Sequence, residues 1–179
     1  MLSFQKTERW SFGIGARKLY DFMHKNTSLR TYPISYIADE NVITQNNQFI
    51  AINNALMCDL SGQVCSESIG FSQFSCTGGQ VNFVRGARMS LGGKSFLVLE
   101  STTKKADGTL ISRIVTVLPP GAVVTTPRSD VDYIVTEHGA AYLRGKTISA
   151  RVKEMINIAH PDFREQLMKE AKEKKLFFD

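Results

Sequence analysis

Two short glycine-bearing runs, SCTGGQVNFVRGA at residues 75–87 and VTEHGAAYLRGK at residues 135–146, constrain this chain more than any other feature. Each sets a glycine turn beside polar and basic groups. Adjacent glycines at Gly78 and Gly79 let the backbone approach a ligand closely and present bare N–H donors, which a carbonyl oxygen needs as it gains negative charge. In the second run, a β-branched stretch at 133–136 delivers Glu137 to a strand end followed by Gly139, a usual place for active residues in α/β sheets. Asn-Asn at 46–47, before a strand, reads on its own as a turn.

Around these runs the pattern mixes helical and strand periods. Ala16, Leu19, Phe22 and Met23 predict an amphipathic helix over 16–25, and residues 32–37 alternate like a strand. Asp39 is placed to cap a short helix through Ile43. Residues 48–52 and 55–60 read as strands, the second closed by a turn at Ser61-Gly62, and apolar or β-branched runs follow at 94–100, 110–118, 122–126 and 133–136. Ser149 is expected to cap a helix over 150–159, while Pro161 and Asp162 open another that runs to about Lys174. With 179 residues, 42% of them hydrophobic, the chain can bury one core, so residues 1–179 are expected to form a single domain. The class implied is α/β: a three-layer open mixed sheet flanked by helices, with its strand order left open.

Composition excludes several function classes. No apolar run approaches the length of a bilayer crossing, and the opening MLSFQKTERW lacks the apolar stretch of a secretory signal. The net charge of +5 is partly carried by Lys169, Lys172, Lys174 and Lys175, which are interleaved with Glu170 and Glu173. No basic stripe with aromatic residues accompanies it, so nucleic acid is not an expected partner. Three cysteines, Cys58, Cys65 and Cys76, show no C-x-x-C spacing, and His24, His138 and His160 are scattered. This argues for reduced thiols in a cytoplasmic compartment, or a mitochondrial one in a eukaryote, and against a metal site.

The segments RKLYDF, ITQNN, INNALMCDLSGQV, GGQVNFVRGA, STTK, ISRIV, VTEHGAAYLRGK and AHPDFREQL, in this order, resemble the C-terminal half of the acetyl-CoA hydrolase/transferase family. That family includes 4-hydroxybutyrate, butyryl and succinyl-CoA:acetate CoA-transferases. The resemblance implies an open α/β sheet related in architecture to sugar-phosphate isomerases, and transfer of coenzyme A between a short acyl-CoA and a small carboxylate. Coenzyme A is then a substrate, with no tightly bound cofactor. In the family a glutamate carries CoA covalently, and the resemblance puts that residue upstream of Met1. It implies a partner half in the same or another chain, a homodimer in the complete enzyme, and loose packing of residues 1–12. Hydrolysis of acetyl-CoA and a non-catalytic role are the competing expectations.

The resemblance also assigns residues. Gly79 matches the glycine whose N–H stabilises the oxyanion, with Gly78 beside it, and Glu137 matches an active-site carboxylate that orients the reacting groups. Asn46, or Asn47 next to it, matches an asparagine that bonds the acyl group. Ser75 and Lys104 match residues lining the CoA pocket, with Lys105 the alternative because the loop reads KKADG. Arg85, Arg88, Arg144 and Lys146 are further candidates, Arg85 and Arg144 as buttresses of the glycine turns. His138 occupies a variable position and is expected to be structural.

Overall fold

The computed structural model describes residues 8–177. At the front, β1 (Glu8–Trp10) and β2 (Leu29–Thr31) pair in parallel across α1 (Arg17–Met23), and none of the three contributes a buried residue. The apolar spacing does produce a helix at α1, although Tyr20 and Phe22 on it stay exposed. Residues 32–37 are not a strand. Pro33 presets the backbone angle and offers no N–H to a ladder, so it opens the helical turn α2 (Ile34–Ile37), whose Tyr36 stacks on the preceding Tyr32 with ring centroids 4.9 Å apart. Asp39 caps α3 (Glu40–Thr44) as expected, accepting the Asn41 N–H at 2.8 Å. Of the segment expected to pack loosely, residues 1–7 lie outside the described residues, and Phe12 is exposed.

The next stretch lays down β3 (Ile50–Asn54), β4 (Met57–Asp59), β5 (Val64–Cys65) and a small hairpin of β6 (Ser68–Ile69) and β7 (Ser72–Gln73). Then come α4 (Gln80–Met89), β8 (Lys94–Val98), the hairpin of β9 (Thr102–Lys104) and β10 (Leu110–Ser112), and β11 (Ile114–Val115). The apolar run at 110–118 is thus split, because the Ser112 hydroxyl bonds both the N–H and the C=O of Ile114 and breaks the ladder there. Of the run at 122–126, only Thr126 makes a bridge, to Val64. The chain closes with β12 (Tyr133–Thr136), β13 (Gly139–Tyr142), α5 (Ile148–Asn157) and α6 (Pro161–Glu173).

The main sheet has the order β13-β12-β8-β3, with β3, β8 and β12 parallel and β13 antiparallel; a second sheet runs β11-β4-β5. This is the mixed α/β architecture that the sequence implies. One face of the main sheet carries Leu97, Ile134 and Ala141 into a core completed by Val84 of α4 and by Val152 and Met155 of α5. On the opposite face, the register aligns Ile52, Phe96, Tyr133 and Tyr142 in one row, with neighbouring rings 4.9 and 4.7 Å apart. None of these four is buried.

Helix α3 lies directly on α4. The contact needs Gly86, since a Cβ there would stand 2.6 Å from Ile43 Cγ2. At α5 the cap is Thr147 rather than Ser149: the Thr147 hydroxyl accepts the Ala150 N–H at 3.3 Å, so the helix starts two residues earlier than the sequence suggested. His160 Nδ1 caps α6 in the same way, with Pro161 as its first residue.

Candidate active site

The glycine pair makes the N-terminus of α4. Gly78 has φ +55, a left-handed conformation open to glycine, whereas Gly79 has φ −97 and occupies the cap position itself. Glycine cannot supply a capping side chain, so the first-turn N–H groups of α4 are left pointing outward without one. They face a groove of about 540 Å³ lined by Gly78, Gly79, Asn82, Ala38, Asp39 and Glu40. The free N–H groups and the helix dipole favour negative charge there. Asp39 and Glu40 oppose it, in part offset by Arg85, which lies 3.9 Å from Glu40.

The second run forms a two-residue hairpin, with Thr136 paired to Gly139 and Glu137 and His138 at its tip. Strands β3, β8 and β12 all end on this side, so Glu137 stands on the C-terminal edge of the parallel strands. Its carboxylate is held at two points by Ser101, which follows β8: the Ser101 N–H donates at 2.9 Å and the Ser101 hydroxyl donates to the other oxygen. Ser101 is 0% exposed. Desolvation pushes the Glu137 carboxyl up, but the two Ser101 hydrogen bonds, helped by His138 with Nε2 at 3.5 Å, outweigh it and hold the group below the usual carboxylate range. His138 is itself turned into structure: its N–H bonds Thr136 Oγ1 at 3.1 Å, and its ring meets His160 edge-on at 5.4 Å.

The other candidates separate. Asn46 lies at the far end of α3, where its amide donates to the carbonyls of Val42 and Ile43, and its own carbonyl accepts the hydroxyl of Ser90, the residue ending α4. Ten residues of α4 therefore stand between Asn46 and Gly79, roughly 15 Å of helix. The structure does not bring Asn46 to the glycine turn. Lys104 ends β9, three residues beyond Ser101 along an extended strand, within roughly 10 Å of the Glu137 clamp, and Lys105 opens the turn of that hairpin. Ser75 is exposed and bonds the carbonyl of Cys76. Arg85 bonds Asp130 at 2.7 Å, and Arg88 bonds the Ser129 carbonyl, so the pair ties α4 to the loop before β12. Arg144 reaches the buried Asp132 at 3.8 Å.

Two residues of this region escape sequence reasoning. Ser101 was visible only as the first letter of STTK, with nothing to pair it with a glutamate 36 positions later. Asp130 gave no signal at all. Cys58, by contrast, is ruled out as a reactive thiol, because complete burial pushes its pKa far up.

With this geometry in place, the chain matches the family model described as acetyl-CoA hydrolase/transferase C-terminal domain over residues 15–171. The chain belongs to that family. It is 49% identical to the 4-hydroxybutyrate coenzyme A transferase of Clostridium kluyveri over 92% of this chain and 38% of that protein. It is 31% identical to the acetyl-CoA hydrolase of Candida albicans over 86% of this chain and 28% of that protein. Among solved structures, RipA from Yersinia pestis superposes with a TM-score of 0.87 at 37% identity, covering 98% of this chain and 39% of that one. The chain thus spans well under half the length of these relatives. Among the described residues, no helix is long and apolar enough to cross a membrane.

Proposed function

We propose that this chain forms one wall of a CoA-transferase site acting between a short acyl-CoA and a small carboxylate. A glutamate in the part of the enzyme outside this chain attacks the donor thioester, giving an acyl-glutamyl anhydride and free CoA thiolate. The thiolate attacks the glutamyl carbonyl and releases the donor acid, leaving a glutamyl-CoA thioester. An acceptor carboxylate then reverses both steps. Each step passes through an oxyanion, and the uncapped α4 N-terminus at Gly79 offers the N–H donors for it. Glu137, fixed by Ser101, orients the reacting carboxylates, and Gly78, Ser75 and Lys104 border the coenzyme.

The observation that carries this reading is the Ser101-held Glu137 on the C-terminal edge of the parallel strands, in a chain of this family. Asn46, whose amide bonds the Val42 and Ile43 carbonyls, enters this reading only if a ligand reaches along the whole of α4. Hydrolysis is the second reading, since water could open the same thioester; the higher identity to the transferase than to the hydrolase favours transfer. The test mixes this chain with the separately produced remainder of the Clostridium kluyveri relative and follows acetyl-CoA with and without butyrate. Butyryl-CoA formation in the mixture alone is the expected result. Acetyl-CoA loss at the same rate without any carboxylate acceptor would make the hydrolase reading correct.

A further inference from the structure

A pocket of about 350 Å³ lies between the front of the chain and the α3–α4 pair, with apolar walls from Ile37, Val42, Phe49 and Phe83 and with Arg9 and Tyr36 among its polar groups. Phe83 joins it to the glycine turn. The residue stands one turn into α4, roughly 5.4 Å along the axis, and a Cβ placed on Gly79 would lie 3.2 Å from its ring. A four-carbon acid with its reacting carboxyl at Gly79 spans that distance and enters the pocket past Phe83. Arg9 sets what its far end meets. The guanidinium lies over the stacked rings of Tyr32 and Tyr36, 5.8 and 6.0 Å from their centroids, and donates to the Tyr36 hydroxyl at 3.0 Å. Among the described residues no carboxylate pairs with it. A guanidinium carries five N–H donors, so most of the fork is open to a ligand, and the Tyr36 hydroxyl, which accepts from Arg9, keeps its own proton to donate. A planar cation with spare donors matches a carboxylate.

We propose that Arg9 and Tyr36 are specificity-determining residues, which select an acid carrying a second carboxylate at the far end of a four-carbon chain, of the succinate type, over a monocarboxylate of equal length. The proposal rests on the functional reading above. The near carboxyl reacts at the α4 N-terminus, the methylenes pass Phe83, and the distal carboxylate takes the Arg9 fork and the Tyr36 hydroxyl. Butyrate fills the same apolar walls and leaves both donors without a ligand. Discrimination of this kind comes from polar groups that one substrate satisfies and its analogue does not. No bond is made or broken at Arg9.

The experiment has two arms. In the first, this chain is mixed with the remainder of the Clostridium kluyveri relative, and transfer from acetyl-CoA is followed with succinate and with butyrate as acceptors. The ratio of the two kcat/KM values should favour succinate, and Arg9→Met should lower that ratio about tenfold through KM for succinate. Tyr36→Phe should lower it about threefold, and Arg9→Lys, which keeps the charge without the fork, should fall between wild type and Arg9→Met. A merely structural role for Arg9 would depress both acceptors together and leave the ratio alone. In the second arm, succinate and butyrate are titrated onto this chain by itself while the ring resonances of Tyr36 and Phe83 are recorded. Succinate should move both at lower concentration than butyrate, and Arg9→Met should erase the difference. Transfer with a ratio blind to Arg9→Met would overturn the proposal and keep the transferase reading. No transfer with either acid, beside an Arg9-dependent succinate shift, would sink that reading and keep the dicarboxylate pocket; no transfer and no such shift would overturn both.

Discussion

At the scale of single residues, the account turns on which atom each side chain holds. Glu137 is gripped by a fully buried Ser101, so the complete enzyme with Glu137→Gln should keep its fold and lose roughly 10²-fold in turnover, with a much smaller change in coenzyme A affinity. His138→Gln should change turnover little, and the two variants assayed at one pH and salt decide between the neighbours. Ser101→Ala removes a hydrogen bond to a half-exposed carboxylate and should cost about 1 kcal/mol at neutral pH. Because the folded Glu137 carboxyl titrates low, its contribution is present above the ordinary glutamate pKa of about 4.3 and is lost as pH falls through the depressed value. Melting temperatures of wild type and Ser101→Ala should therefore converge in acid; a gap that persists at pH 2 would contradict the assignment. The glycines divide as well. Gly78→Ala forces a left-handed residue and should cost about 1–2 kcal/mol by urea unfolding, whereas Gly79→Val should act on rate, by roughly 10² to 10³.

At the scale of elements, packing decides what local pattern leaves open. The α3–α4 contact closes over Gly86, and Gly86→Ala should destabilise by about 1–3 kcal/mol in denaturant titration, because the added methyl meets the branched carbon of Ile43 rather than the end of a flexible chain. An unchanged midpoint would show that the two helices separate easily. Thr147→Ala should cost about 1 kcal/mol through loss of the α5 cap. Much of this level was legible in the sequence. Tyr133–Thr136 is a strand where its β-branched run placed one, and Asp39 caps where a capping residue preceded an apolar spacing. What failed has local causes. Residues 32–37 alternate in hydrophobicity, but Pro33 starts a turn, so the period of two here belongs to a four-residue helix. Gly139–Tyr142 pairs through its backbone while offering small side chains that carry no strand signal. The Ser101–Glu137 clamp joins two strands adjacent only in the folded sheet, and linear spacing cannot encode that.

At the scale of the whole molecule, the sheet is covered on one face and carries exposed aliphatic and aromatic groups on the other, and its carboxylates are committed in different ways. Glu137 is engaged by Ser101, while Glu40 lines the groove of the glycine turn beside Asp39, 3.9 Å from Arg85. The central claim is that this chain assists a covalent carboxylate that it does not itself provide. Intact mass spectrometry after incubation with acetyl-CoA, with a second aliquot in which borohydride reduces any glutamyl thioester to the alcohol and releases CoA, tests it most directly, on this chain alone and with the remainder of the Clostridium kluyveri relative. The account predicts no adduct on this chain in either sample and an adduct on the added polypeptide in the mixture. A stable glutamyl-CoA adduct on Glu40, Glu137 or Glu8 would contradict it and place the nucleophile within these 179 residues.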